Sequence, residues 1–187
     1  MKEELHFALY AVKKNIQSSA ELRTSFLMNV FGMAINNVAF IVLWVFFVHS
    51  VGVIGGWTAA DIVGLQGFTA LCYGLSFTFS GGIKRLPDYV ANGSFDRFML
   101  SPKNILVRVA TSAFGASGVG DIVFGVVCLT IYGFLIHAGA LQVLLMLLLV
   151  MLSTVLFFAV VVVIYSVSFL FTDATYIVSG IFELFLT

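Results

Sequence analysis

LQVLLMLLLVMLSTVLFFAVVVVIYSVSFLF, residues 141–171, runs for 31 positions without a glycine, a proline or a charged side chain. With no turn residue inside it the stretch does not fold back as a hairpin, and it reads as one long helix that tilts within the bilayer or extends beyond it. The whole chain agrees. It is 61% hydrophobic and 10% charged, with a mean hydropathy of +1.11, too little polar surface to cover a soluble domain of 187 residues. A lipid-embedded bundle needs no such cover, so the fold class expected is all-α, a polytopic transmembrane helix bundle.

Outward from this stretch, His137–Ala140 is a minimal turn, and residues 105–136 make a third span. Residues 62–80 make a second span and residues 26–48 a first, each long enough at 1.5 Å per residue to approach or cross the ~30 Å hydrocarbon layer. The apolar run at 26–48 starts too late and runs too long for a cleavable signal peptide. Beyond Asp173, taken as a short break, residues 174–187 begin a fifth apolar segment too short to span. The expectation is four full spans plus the start of a fifth, in a chain cut short of a larger membrane protein and forming one membrane domain over 1–187.

The nine basic residues set the orientation. All lie in residues 2–23 or 84–108, and none follows Arg108. Basic loops are retained on the cytoplasmic side, which puts the N-terminus and the 84–104 segment there, two spans apart. Leu5, Ala8, Leu9, Val12 and Ile16 recur at helical spacing within 1–23, opposite Lys13, Lys14, Asn15 and Gln17. This is an amphipathic helix too polar to span, expected to lie on the inner membrane surface with its lysines near anionic headgroups.

Small residues mark where helices meet. Gly67, Gly74 and Gly81 recur every seven positions, with Gly64 three before the first, and Ser112, Ala116 and Gly120 recur every four beside Gly115 and Gly118. Both stripes are built for close helix approach. Thr58 three residues before Asp61 reads as a capping box that opens the second span, with Trp57 at the interface. Gly81-Gly82 releases the chain into the inner segment, where Pro87 opens a short helix, Gly93 ends it, and Ser101-Pro102 reads as the N-cap and first turn of the next span.

Few residues carry chemistry. His6, His49 and His137 are scattered, Cys72 and Cys128 lie in apolar spans without CxxC spacing, and there is no HExxH, GxSxG or GxxxxGK[ST]. Metal, nucleophile and nucleotide sites are not expected in this chain, nor is nucleic-acid binding; it is not read as an enzyme, and no cofactor is assigned to it. Asp121 is the costliest residue, since a charged group at mid-span is disfavoured by about 2.5 to 3.5 kcal/mol on insertion scales. It lines a translocation path or fixes helix packing. Asn29, Asn36 and Asn37 interrupt the first span; Asn29 and Asn36 share a face suited to interhelical hydrogen bonds, and Asn36 is the second candidate for the path. Glu183 raises the same question as Asp121. The inner segment mixes Arg85, Asp88, Asp96 and Arg97 with Tyr89, Phe95 and Phe98, too apolar for a solvated linker and suited to docking a cytoplasmic partner.

The order of amphipathic helix, two spans and then Gly93-Ser94-Phe95-Asp96-Arg97-Phe98-Met99-Leu100-Ser101-Pro102 resembles the ABC-2 type permeases, in which a G-x-h-D-x-h-L-x-x-P-like stretch follows the second span. Met99 stands where leucine is common. By organisation the resemblance covers residues 1–172, and its sequence-specific part is residues 81–108. It implies a six-span permease subunit that pairs with a second permease, as homodimer or heterodimer, and with two copies of a cytoplasmic ABC ATPase that binds the ATP. Arg85, Asp88, Tyr89, Phe95, Asp96, Arg97 and Phe98 then carry ATPase coupling. The expected function is ATP-driven export from the bacterial cytoplasmic (inner) membrane. A proton-coupled secondary transporter centred on Asp121 and a non-transporting membrane scaffold stay open as alternatives.

Overall fold

The computed structural model describes residues 2–21, 23–51, 56–100, 102–171 and 174–186, and among them no β-strand occurs. The helices are α1 (Lys2–Glu21), α2 (Arg23–Val51), α3 (Ala59–Ser80), α4 (Leu86–Ala91), α5 (Asp96–Met99), α6 (Ile105–Ala110), α7 (Ala116–Leu135), α8 (Ala140–Ser166) and α9 (Ala174–Leu186). Among the described residues four helical stretches are long and apolar enough to cross a membrane, at Arg23–Ser50, Ala59–Ala91, Ala116–Leu135 and Ala140–Phe169. The expected all-α polytopic bundle is what forms. Gly52, Gly55, Ser101 and Asp173 lie outside the described residues.

The chain divides into two compact units. One joins Leu22–Thr78 to Ala116–Val155. Here α3 packs on α7 almost without side chains between them. A Cβ placed on Gly67 would stand 2.6 Å from that of Cys128, and one on Gly125 would stand 2.7 Å from the Gly67 carbonyl oxygen. One turn pair further on, a Cβ on Gly74 would stand 2.7 Å from the Gly118 carbonyl oxygen. Only hydrogen fits at these points, and backbones brought this close gain the dispersion contacts that drive association where lipid is as apolar as the side chains. Gly120 gives α2 the same access, since a Cβ there would meet the Val30 carbonyl oxygen at 2.6 Å. Against α8, the Cys72 thiol points at the Val150 carbonyl at 3.7 Å, and Leu71, Cys72 and Val150 form the buried core. The outward side of α2 carries exposed Met28, Phe31, Ile35 and Phe46, which suits hydrocarbon as solvent.

The other unit gathers Met1–Glu21, Phe79–Gly115 and Leu156–Thr187. It contains the main departure from expectation. The third span is not one helix over 105–136 but two pieces, α6 and α7, broken at residues 111–115. The Thr111 hydroxyl donates to the Val107 carbonyl at 2.7 Å and the Ser112 hydroxyl to the Val109 carbonyl at 2.7 Å, adding side-chain donors beside the backbone amides of the same residues at the point where the helix stops. Gly82 occupies the space beside the break, where any Cβ would collide with the Val109 carbonyl oxygen. The Ser112, Ala116, Gly120 stripe therefore does not run along one helix. The N-cap also moves: the Asn104 side-chain oxygen accepts from the Leu106 and Val107 amides at 2.9 and 3.4 Å, in the role expected of Ser101.

Gly74→Val is expected to cost about 1 to 3 kcal/mol of fold stability, the usual range for overpacking. Gly32→Val, on a side of α2 where nothing lies within 4 Å of the added carbon, should cost nothing measurable. Denaturant titration of helicity in mixed micelles reads the difference.

Candidate functional site

The segment after α3 is a braced platform. A 3-10 turn at Gly81–Arg85 buries Gly82 and Ile83 and leads into α4, whose first turn holds Pro87. At the far end Gly93 takes φ +67, the left-handed conformation that lets the chain reverse, and the Phe95 amide closes the turn on the Tyr89 carbonyl at 3.0 Å. Pro87 and Gly93 act as their types predict.

The reversal brings three aromatic rings together. Phe98, 5% exposed, has its ring centroid 5.2 Å from Tyr89 and 6.1 Å from Phe95, and Phe95 meets Phe169 edge-on at 4.9 Å. Two guanidinium groups cover Phe98, Arg97 at 4.9 Å and Arg108 at 5.6 Å from its centroid. Arg108 also donates to the Phe98 carbonyl at 2.5 Å and the Arg97 carbonyl at 3.3 Å, tying α5 to α6. A guanidinium does both tasks at once because its face stacks while its edge donates.

The platform is fastened to the break in the third span. The Ser112 hydroxyl spends its proton on Val109, so the Tyr89 hydroxyl, 3.1 Å away, donates to the Ser112 oxygen. From α1, the Asn15 amide donates to the Thr111 carbonyl at 2.7 Å, satisfying an acceptor left over where the helix stops. On the remaining side the Lys84 ammonium lies 5.3 Å from the Phe182 ring of α9, which in turn packs on Tyr165 at 5.6 Å.

Of the residues expected to couple to a partner, Arg85, Asp88, Asp96 and Arg97 are exposed, Tyr89 and Phe95 are half-buried, and Phe98 is buried. Met99 and Leu100 add an apolar tip, Leu100 being 87% exposed. Arg108, Asn15 and Ser112 hold this arrangement together, although the sequence marked Asn15 as the polar side of a helix and Ser112 as a small packing residue.

The second site is intramembrane. Asp121, 2% exposed, accepts a hydrogen bond from the Asn37 amide of α2 at 2.6 Å. It sits where α2, α3 and α7 meet, its Cβ 2.9 Å from the space over Gly74. Asn36 is exposed, and Asn29 bonds back to the Ser25 carbonyl of its own helix at 2.8 Å. The signal that points to Asn37 is chemical: a carboxylate and an amide in neighbouring spans each need a partner in hydrocarbon. Glu183 is exposed on α9, and His6, His49 and His137 are exposed on separate elements.

The capping box at the other end of the second span is complete. The Asp61 Oδ2 accepts from the Thr58 amide at 2.9 Å and the Thr58 hydroxyl at 2.7 Å, and the Asp61 amide donates back to the Thr58 hydroxyl oxygen at 3.4 Å. Tyr132, absent from the sequence expectations, donates to the Asp61 Oδ1 at 3.2 Å.

A double-mutant cycle on Asn37→Leu and Asp121→Ala is expected to return a coupling of about 0.6 to 1.7 kcal/mol, the range of polar pairs between membrane helices. Stability in bicelles measures it, and additive losses would remove the pair from the account of packing.

Comparison with curated proteins and with solved structures gives no match. The sequence pattern of the ABC-2 family transporter proteins matches residues 33–187, which takes in α3 to α9, the platform between the second and third spans and most of α2. With that match joined to the helical, membrane-crossing architecture, this chain belongs to the ABC-2 family of transporter proteins, as an integral membrane subunit of the permease kind.

Proposed function

We propose that the chain is the membrane-spanning subunit of an ATP-driven exporter in the bacterial cytoplasmic membrane, with its N-terminus and the 84–104 platform in the cytoplasm. ATP binds and turns over on a separate cytoplasmic ABC ATPase, and this chain needs no cofactor of its own. A second permease, the same chain or a related one, completes the pathway. The observation that carries the reading is the platform's exposed set of side chains, in which Arg85, Asp88, Asp96 and Arg97 are displayed together with the bare Leu100. Exposed charges of both signs together with an exposed apolar tip suit a specific protein partner.

Movement follows from how those side chains are backed. Force applied to Asp96 or Arg97 reaches α6 through the Arg108 bonds to the Arg97 and Phe98 carbonyls, and reaches the 111–115 break through Tyr89 and Ser112. A break already supplied with its own side-chain hydrogen bonds bends at little cost. ATPase closure then swings the third span at this point to alter access. In this arrangement α1 lies along the inner leaflet, with Leu9 and Tyr10 exposed toward lipid and Lys13 and Lys14 near headgroups. Asp121 and Asn37 are assigned to the wall of the pathway.

Exchanging charges with Asp96→Lys and Arg97→Glu is expected to lower co-purification of the ATPase at least tenfold while membrane insertion is unchanged. Phe98→Ala should collapse the platform instead, at about 3 to 5 kcal/mol for a buried ring. Purification of the full-length protein in mild detergent, with partners identified and ATP hydrolysis assayed, decides the matter. A chain recovered alone and without ATPase activity overturns the reading.

A further inference from the structure

We infer that the end of the α3, α7 and α8 packing nearest Trp57 is a binding site for an amphiphilic organic cation, an ammonium carried on an alkyl chain. The first part is a cavity of about 360 Å3, with Trp57, Asp61, Gly64, Phe68, Tyr132 and Met146 in its wall. That volume lies in the range of small-molecule sites. The Asp61 carboxylate is held on one oxygen by the Thr58 amide and hydroxyl and on the other by the Tyr132 hydroxyl. All three donors are neutral. They aim the carboxylate and leave its charge standing, and no lysine or arginine lies between Arg23 and Lys84 or after Arg108 to balance it. Arg23 opens the 29-residue α2, roughly 40 Å along that helix from its last residue, Val51, at 1.5 Å per residue.

Two aromatic side chains share the cavity wall with that charge. Trp57 is half exposed, and the Tyr132 ring lies flat over Gly64, where a Cβ would be 2.7 Å from it. A carboxylate with indole and phenol rings is the combination that attracts an ammonium, by charge and by the negative ring faces.

The second part receives the tail. Leu129 and Met146 also line an adjoining groove of about 340 Å3, whose other walls include Leu71, Val126, Phe134 and Val150. Thr130 contributes a hydroxyl to this groove, but its proton is donated to the Val126 carbonyl at 2.7 Å. The groove therefore accepts a hydrocarbon chain and rejects a polar one. A neutral amphiphile forfeits the head site and an anionic one is repelled by Asp61. The site is independent of the ATP-coupling proposal, because a ligand can occupy it whether or not an ATPase binds the platform.

The test is saturable binding of dodecyltrimethylammonium to the full-length protein in amphipol, with Trp44→Phe leaving Trp57 as the fluorescent reporter. Binding is expected to weaken at least tenfold in Asp61→Asn and in Val126→Phe, which fills the groove from an exposed position and adds no second indole. Thr69→Ala, at an exposed position of α3 outside both cavities, should stay within threefold. Dodecyl sulfate should fail to compete. Competition by phosphatidylethanolamine would identify the ligand as a lipid, and its failure would identify a single-chain amphiphile; both leave the site standing. Equal affinity for dodecyl sulfate, or binding unchanged in both Asp61→Asn and Val126→Phe, overturns it.

Discussion

The approach of α3 to α7 is the constraint on which the membrane part depends. Lipid offers no hydrophobic gain for bringing two apolar helices together, so the contact rests on how near their backbones come. Gly67 against Gly125 and Gly74 against Gly118 set that distance by having no side chains. Asp121, Cys128 and Tyr132 lie along the same seam of α7, and each finds its place because the seam is narrow. Tyr132 reaches Asp61 across it, and Asp121 turns toward Asn37 on the next helix. A wider spacing would pull these polar groups out of reach of one another.

The platform follows a different rule. Its core is aromatic, and its cations are used as covers for rings. Arg97 and Arg108 stack on Phe98, and Lys84 stands over Phe182, so positive charge expected in a basic inner segment also holds the fold of that segment. Arg97 both covers a ring and is exposed, so one residue serves the fold of the segment and its displayed charge.

Much of this was legible in the residues, for reasons that are local. Helix spans appear as uninterrupted apolar runs, the Thr58–Asp61 box joins groups three residues apart, and Pro87 and Gly93 act through their own backbone preferences. The seven-residue glycine stripe of α3 correctly marked a contact face. What escaped is nonlocal. Asn37 and Asp121 are 84 residues apart, Asn15 and Thr111 are 96 apart, and Tyr132 and Asp61 are 71 apart, so no spacing rule links them. The break at 111–115 was hidden for another reason: the apolar run continues through it, and Thr111 and Ser112 are as acceptable in a membrane helix as at its interruption.

Asp61 has a further consequence for how the chain is assembled. With the orientation proposed above, inserting the α2 and α3 hairpin carries this carboxylate, and no lysine or arginine, from the negative to the positive side of an energised membrane. An anion moving that way gains about 2.3 kcal/mol per 100 mV. The membrane potential thus pulls the first hairpin into place during biogenesis. A lysine at the same position would have to be pushed against the field, and the hairpin would enter more slowly.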